Sequence, residues 1–131
     1  MLPRSERLNA TTFAQTFANS VIVRHPLVVV RARWRDDGDS RARAAFVVPK
    51  KQGKHTKRNR TRRRLRERYR LHARRGEPSG CDLIFMATPQ TADASSEQLD
   101  AALDDVLRRL NRKIGPRDPS KRPAIAAAEK A

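Results

Sequence analysis

Between Lys50 and Arg75 the chain carries 14 of its 30 Lys and Arg residues in 26 positions, against one acid, Glu67. Like charges one helical turn apart repel, so such a stretch folds best with one side docked and the other facing a polyanion. Leu65 and Tyr69, one turn apart, supply the docking side. A helix from about Lys57 to Arg75, closed by Gly76 and Pro78, aligns Arg58, Thr61, Leu65, Tyr69 and His72 on one face. Arg60, Arg63, Arg70 and Arg74 then project from the opposite face. A basic loop over Lys50 to His55, containing Gly53, leads into this helix. Most of the charge is arginine, whose planar guanidinium donates in pairs to phosphate oxygens and stacks on bases, so the expected partner is nucleic acid.

The remaining segments read as alternating helix and strand. Asn9 is positioned to cap a short helix through about Ser20, with Phe13 and Phe17 on one side and Ala14 and Ala18 beside them. Val21 to Arg24 and Leu27 to Trp34 are β-branched runs bounded by His25-Pro26 and Asp36-Asp37-Gly38, hence strands with a break or edge at Pro26. Ala42 to Val48 reads as a third strand stopped by Pro49, and Cys81 to Ala87 as a buried fourth. Ser95 and Gln98 have capping-box spacing before a wide stripe of Leu99, Leu103, Val106, Leu107 and Leu110. The early acids Glu97 and Asp100 and the late bases Arg108, Arg109, Arg112 and Lys113 follow the helix dipole and need no ligand. The order helix, three strands, helix, strand, helix suits an α+β fold, a two-layer sandwich of helices on a sheet of about four strands.

At 131 residues the chain is expected to hold one domain over residues 1–114, followed by a Pro- and Ala-rich tail over residues 115–131 with the composition of a disordered segment. A formal net charge of +16 would repel itself in a compact free state, and a nucleic acid is the natural screen. Cys81 is the single cysteine, which excludes an intramolecular disulfide and points to a reducing cytoplasm. No apolar run approaches the roughly 20 residues of a membrane span, and the N-terminus lacks an apolar signal core.

Signs of protein-borne catalysis are scarce. His25, His55, His72 and Cys81 have no zinc spacing. No nucleophile elbow, phosphate-binding loop or zinc-protease helix motif occurs. The acids lie mostly on the last helix or in the Asp36 to Asp39 turn, whereas a self-sufficient nuclease gathers carboxylates around divalent metals.

Lys50-Lys51-x-Gly53, Arg58-Asn59-Arg60, Arg62-Arg63 and Arg66-Glu67-x-x-Arg70 together resemble the signature of the bacterial ribonuclease P protein subunit, a strand-loop-helix reading KKxGxxxxRNRxxRxxRExxR. Arg7-Leu8 and Phe13-x-x-x-Phe17 resemble that family's N-terminal helix, Cys81 to Ile84 its strand after the basic helix, and Leu99 to Leu110 its last helix. Residues 7 to 110 are thereby covered. The resemblance implies the sandwich in the order α-β-β-β-α-β-α, with a left-handed βαβ crossover against the usual hand. It implies a catalytic RNA partner that cuts precursor tRNA to a mature 5′ end, with Mg²⁺ held mainly by that RNA and no protein-bound cofactor.

By the same resemblance, Arg58, Asn59, Arg60, Arg62, Arg63, Arg66 and Arg70 face the catalytic RNA. Arg58 falls near the apolar side of the helical wheel, where it acts at the first turn or braces the loop. Phe13 and Phe17 border a cleft for the single-stranded 5′ leader, and Lys50, Lys51 and Lys54 supply phosphate contacts nearby. The chain departs from the family at His55 and Thr56, where small or apolar residues are common, and at Leu27 to Val30, which lacks an aromatic common in the second strand. Two other readings share the charge: a structural ribosomal or ribosome-assembly protein without processing activity, and a protein-only nuclease, against which the missing acid cluster argues.

Overall fold

The computed structural model describes residue 7 and residues 10–18, 20–35 and 41–114. Asn9, Leu8, the Asp36 to Asp39 turn and the 115–131 tail fall outside the described residues. Three helices, α1 (Ala10–Ala18), α2 (His55–Arg70) and α3 (Ser96–Ile114), combine with four strands, β1 (Val21–His25), β2 (Val28–Trp34), β3 (Arg43–Val47) and β4 (Cys81–Ala87). The order is α-β-β-β-α-β-α, as expected. The sheet runs β1-β2-β4-β3, with β4 antiparallel to β2 and parallel to β3. Helix α2 therefore lies on the crossover joining the two parallel strands.

Alternation along the strands divides the sheet into two unlike faces. One face presents Val21, Val23, Val28, Val30, Ala32, Leu83, Phe85 and Ala87, which form a single core with Leu65 and Tyr69 of α2 and with Leu99, Leu103, Val106, Leu107 and Leu110 of α3. Each leucine so enclosed contributes about 1.5–3 kcal/mol relative to exposure. The other face meets α1 and carries Arg31, Arg33 and Arg43 beside Ile22, Ile84 and Ala45 by register. Central β4 is buried on both faces except at Met86.

Helix α3 begins as its spacing foretold: Ser95 N–H donates to Gln98 Oε1 at 2.8 Å and Gln98 N–H donates to Ser95 Oγ at 3.1 Å, a reciprocal capping box. Pro26 lies in the turn of the β1–β2 hairpin, where Leu27 N–H donates to His25 Nδ1 at 3.0 Å. Arg7 differs from its expected helical position, forming a parallel bridge to Ala44 of β3 ahead of α1.

The largest correction concerns the basic helix, which starts at His55 and stops at Arg70 instead of running from Lys57 to Arg75. Leu71 N–H still returns to the Glu67 carbonyl at 3.1 Å. Arg74 N–H, which a continuing helix would direct to residue 70, instead donates to His72 Nδ1 at 3.0 Å. Gly76, at φ +91°, donates its N–H to Tyr69 Oη at 3.3 Å and turns the chain back toward β4. His72 and Arg74 thus sit in a turn beyond the helix.

The ion pair between Arg35 and Asp82 is enclosed on both sides. Arg35 Nη1 donates to Asp82 Oδ1 at 2.7 Å, with the two side chains 6% and 0% exposed, and Arg35 Nη2 reaches the Arg41 carbonyl across the β2–β3 connection. Asp82 Oδ2 is buried without a partner. Burial pushes the Asp82 pKa up, and the Arg35 hydrogen bond and charge pull it partly back.

Arg35→Ala is expected to cost about 3–5 kcal/mol near neutral pH in urea unfolding, because it strands a buried carboxylate. Removing Arg35 raises the Asp82 pKa further, so the folded variant takes up a proton before its unfolded chain does. The deficit relative to the parent therefore shrinks as pH falls toward the acid range. A deficit constant with pH would show that Asp82 stays ionised in the variant.

Candidate nucleic-acid interface

On α2, Thr61, Leu65 and Tyr69 are buried, and the arginines around them divide into two groups by what they touch. The flank toward α3 is committed within the protein. Arg64 donates through Nη1 to the Ala92 carbonyl at 3.0 Å and through Nη2 to the Ala94 carbonyl. Arg68 grips Asp100 with two bonds, Nε to Oδ1 at 2.8 Å and Nη2 to Oδ2 at 2.6 Å. That hydrogen bond, followed by the Arg68 charge, holds the Asp100 pKa below the ordinary carboxylate range. Beyond the helix, Arg74 pairs with Asp104 at 3.0 Å and with Glu77 at 3.3 Å. Arg74 accordingly belongs to the α2–α3 clamp and not to the outward face expected for it.

The opposite flank is different. Arg60, Arg63 and Arg66 make no hydrogen bond or ion pair with any described residue, and Arg60 and Arg63 are exposed. At 100° per residue they share a broad outward arc with Asn59, Arg70 and Glu67. Asn59 is ordered from both sides, its Nδ2 lying 3.1 Å from His55 Nε2 and its Oδ1 accepting from Arg62 Nη2 at 2.6 Å. Arg70 pairs with Glu67 at 2.9 Å, and that bond lowers the Glu67 pKa. Arg58 turns back to donate from Nε to the Gly53 carbonyl at 3.2 Å, so it braces the loop. Of the seven α2 residues expected at the interface, Arg60, Arg63 and Arg66 thus have no hydrogen-bond or ion-pair partner among the described residues, and Arg58, Asn59, Arg62 and Arg70 have internal partners.

Lys50 and Lys51 lie on a short 3₁₀ turn, Lys50–Gln52, and Lys54 occupies the N-cap of α2 with no side-chain capping bond. Gly53 adopts φ +129°, a backbone conformation that residues with a side chain rarely take, and a Cβ there would also stand 3.0 Å from the Lys57 side chain. Lys51, Gly53, Lys57, Pro89 and Ala92 line an open groove of about 450 Å³. A neighbouring hollow of about 310 Å³ shares Lys57 and Ala92 and adds Arg60 and Arg64. The lysines are thereby grouped with the start of α2; no described contact joins them to Phe13 or Phe17.

Those two rings stack on α1 with centroids 6.1 Å apart, and Phe17 is 44% exposed. The Arg31 guanidinium of β2 lies over the Phe17 ring, 4.2 Å from its centroid, and its Nη1 donates to the Phe17 carbonyl at 3.3 Å. Arg33 Nη1 donates to Gln15 Oε1 of α1 at 3.1 Å. Arg31 and Arg33 were not among the expected interface residues. The period-two order of VVVRARW carries the signal, since it sets both arginines on the face opposite Val30 and Ala32.

The described residues contain no group of three or more His, Cys, Asp or Glu able to hold a metal ion, and none of their helices is long and apolar enough to cross a membrane.

Comparison with known proteins agrees with this architecture. A family model described as Ribonuclease P matches residues 2–111. A ribonuclease P protein component of Gluconacetobacter diazotrophicus is 39% identical over 118 residues, covering 89% of this chain and 97% of its own. One from Brucella suis is 34% identical over 114 residues, covering 82% and 79%. Among solved structures, the RNase P protein from Thermotoga maritima superposes with TM-score 0.68 at 26% identity, over 79% of this chain and 96% of that one. A Staphylococcus aureus RNase P protein shares the fold, with TM-score 0.68 at 22% identity over 80% and 94%.

The division of α2 predicts two unlike outcomes. Arg63→Gln is expected to weaken binding to structured RNA and to reduce the slope of log affinity against log salt by about one, with little change in unfolding. Arg68→Gln is expected to lower the thermal midpoint while leaving that slope intact. Equal salt slopes for the parent and Arg63→Gln would remove Arg63 from the contact surface.

Proposed function

This chain belongs to the ribonuclease P protein family and is a protein subunit of that endoribonuclease; we propose that it lends a cationic, pre-ordered surface to a catalytic RNA that removes the 5′ leader from precursor tRNA. The observation that carries the reading is the outward arc of α2, where Arg60, Arg63 and Arg66 stand beside Asn59 with no hydrogen bond or ion pair to any described residue. Cations left in that state on a folded surface gain most from displacing counterions along a phosphate backbone. Asn59 adds a donor and an acceptor where arginine has donors alone. The family match decides against the ribosomal alternative.

In this reading the bond-breaking chemistry lies in the RNA. Mg²⁺, when bound among RNA phosphates, supplies charge stabilisation to the phosphodiester displacement. The protein screens the phosphates that crowd around the RNA's ions, and α1 with the adjoining edge of the sheet receives the single-stranded leader. Exposed aromatic faces suit that task because every base can stack on them.

Reconstitution with the cognate catalytic RNA is expected to raise precursor cleavage at low Mg²⁺, and the RNA-free protein is expected to leave the precursor intact. Absence of stimulation across a salt series would defeat the reading. Phe17→Ala is expected to weaken leader-bearing precursor by about 1–3 kcal/mol while sparing mature tRNA. If Phe17 serves only packing, the change lowers the unfolding midpoint without selectivity.

A further inference from the structure

Three side chains are linked along the first turns of α2, and hydrogen-bond polarity fixes the role of each atom in the link. Arg62 has donors alone, so the Asn59 atom 2.6 Å from its Nη2 has to be the amide oxygen. The Asn59 amide nitrogen then points to His55 Nε2 at 3.1 Å, and it has only hydrogens to offer. His55 Nε2 is therefore the acceptor, which makes the imidazole neutral with its proton on Nδ1. Arg62 makes no other hydrogen bond or ion pair with a described residue, and its Nε is enclosed without an acceptor. The half-buried guanidinium is thus held through Asn59, and the Asn59 amide is held through His55.

What Asn59 keeps for a ligand is one amide hydrogen and one oxygen lone pair. His55 decides their order, with the acceptor toward Arg62 and the donor toward the start of the helix. We propose that His55 is a positioning residue for the RNA interface, its neutral imidazole setting the polarity in which Asn59 meets the catalytic RNA and the place at which Arg62 meets it. The proposal rests on the RNA-binding reading of α2. Protonation turns Nε2 into a second donor facing the amide nitrogen. The amide then either leaves the imidazolium or rotates its oxygen toward it, and rotation sets the amide hydrogens against Arg62. In the first case Asn59 loses its tether; in the second Arg62 does. Among the described residues no acid is bonded to His55 to hold the imidazolium instead. The charged groups around it are Lys57, Arg58 and Arg62 of α2 and Lys50, Lys51 and Lys54 of the loop, while Asp93 lies across the hollow with Lys57 and Arg60.

The test measures affinity of the full chain for its cognate catalytic RNA at fixed Mg²⁺, at about pH 8 and about pH 5.5 on either side of the ordinary imidazole range, with thermal unfolding of each free protein. The parent is expected to bind roughly 2- to 12-fold more weakly at the lower pH, the span of one hydrogen bond. His55→Gln, whose amide oxygen accepts from Asn59 at either pH, is expected to rescue parental high-pH affinity and to keep it at the lower pH. His55→Lys, a permanent donor, is expected to bind weakly at both, although its added charge alone would favour RNA. Asn59→Ala is expected to bind weakly and without the pH-dependent loss. Parental affinity that rises as pH falls makes His55 a phosphate-binding cation and overturns the assignment, as does an equal loss in His55→Gln. An unfolding midpoint that falls in step with affinity across the variants also overturns it and leaves His55 a brace for the helix. If the parent binds the RNA at neither pH, the RNA-binding reading of α2 falls and this proposal with it.

Discussion

A sixteen-residue helix dominated by arginine and lysine keeps its place because three aromatic rings meet beneath it, and the rest of the molecule is arranged around that junction. Tyr69 of α2 lies 4.9 Å from the Phe85 ring of β4 and 5.8 Å from the Phe46 ring of β3, and Phe46 and Phe85 stack at 5.2 Å. The rings therefore tie the helix to both strands that it connects. Aromatic pairs of this kind add about 0.5–1.5 kcal/mol beyond their buried area. That attraction opposes repulsion among neighbouring cations, and it sets which side of α2 looks outward.

The same helix uses arginine for two physically different purposes. Arg64 and Arg68 satisfy carbonyls and a carboxylate at the border with α3, giving direction to a junction that leucine packing alone would leave free to slide. Arg60, Arg63 and Arg66 make no such bonds to described residues. A long-range ligand feels the whole field, but phosphate contacts can form only where the guanidinium is not already engaged. Functional charge on α2 is thus a subset of its formal charge, selected by tertiary partners.

Much of this is legible in the sequence. The strand β4, the capping box of α3 and the buried pair Leu65 and Tyr69 follow from local spacing, and local spacing survived folding. The early stop of α2 did not, because it depends on His72 Nδ1 taking the Arg74 amide and on Asp104 drawing in the Arg74 side chain. Arg63 and Arg64 are adjacent and chemically identical in the sequence; their distinct roles come from carbonyls near residue 93 that no local window includes. Arg31 is legible in principle through strand alternation, although the cluster between Lys50 and Arg75 carries the denser local signal. The mixed hydrophobic and cationic strand RARW reports a two-sided sheet as surely as the arginine-rich helix reports a polyanion.

Strand β4 sits between β2 and β3 although it is the last of the four to be made. During synthesis the β1–β2 hairpin can close at once, but β3, apart from its bridge to Arg7, gains its neighbouring strand only after the whole arginine-rich crossover has emerged. Only then does the central strand arrive to zip both sides together, and non-local closure of this kind is intrinsically slow. Over that interval the nascent chain exposes unmatched hydrogen-bonding edges and its densest positive charge simultaneously. The order of synthesis therefore leaves the densest positive charge ahead of the strand that completes the sheet.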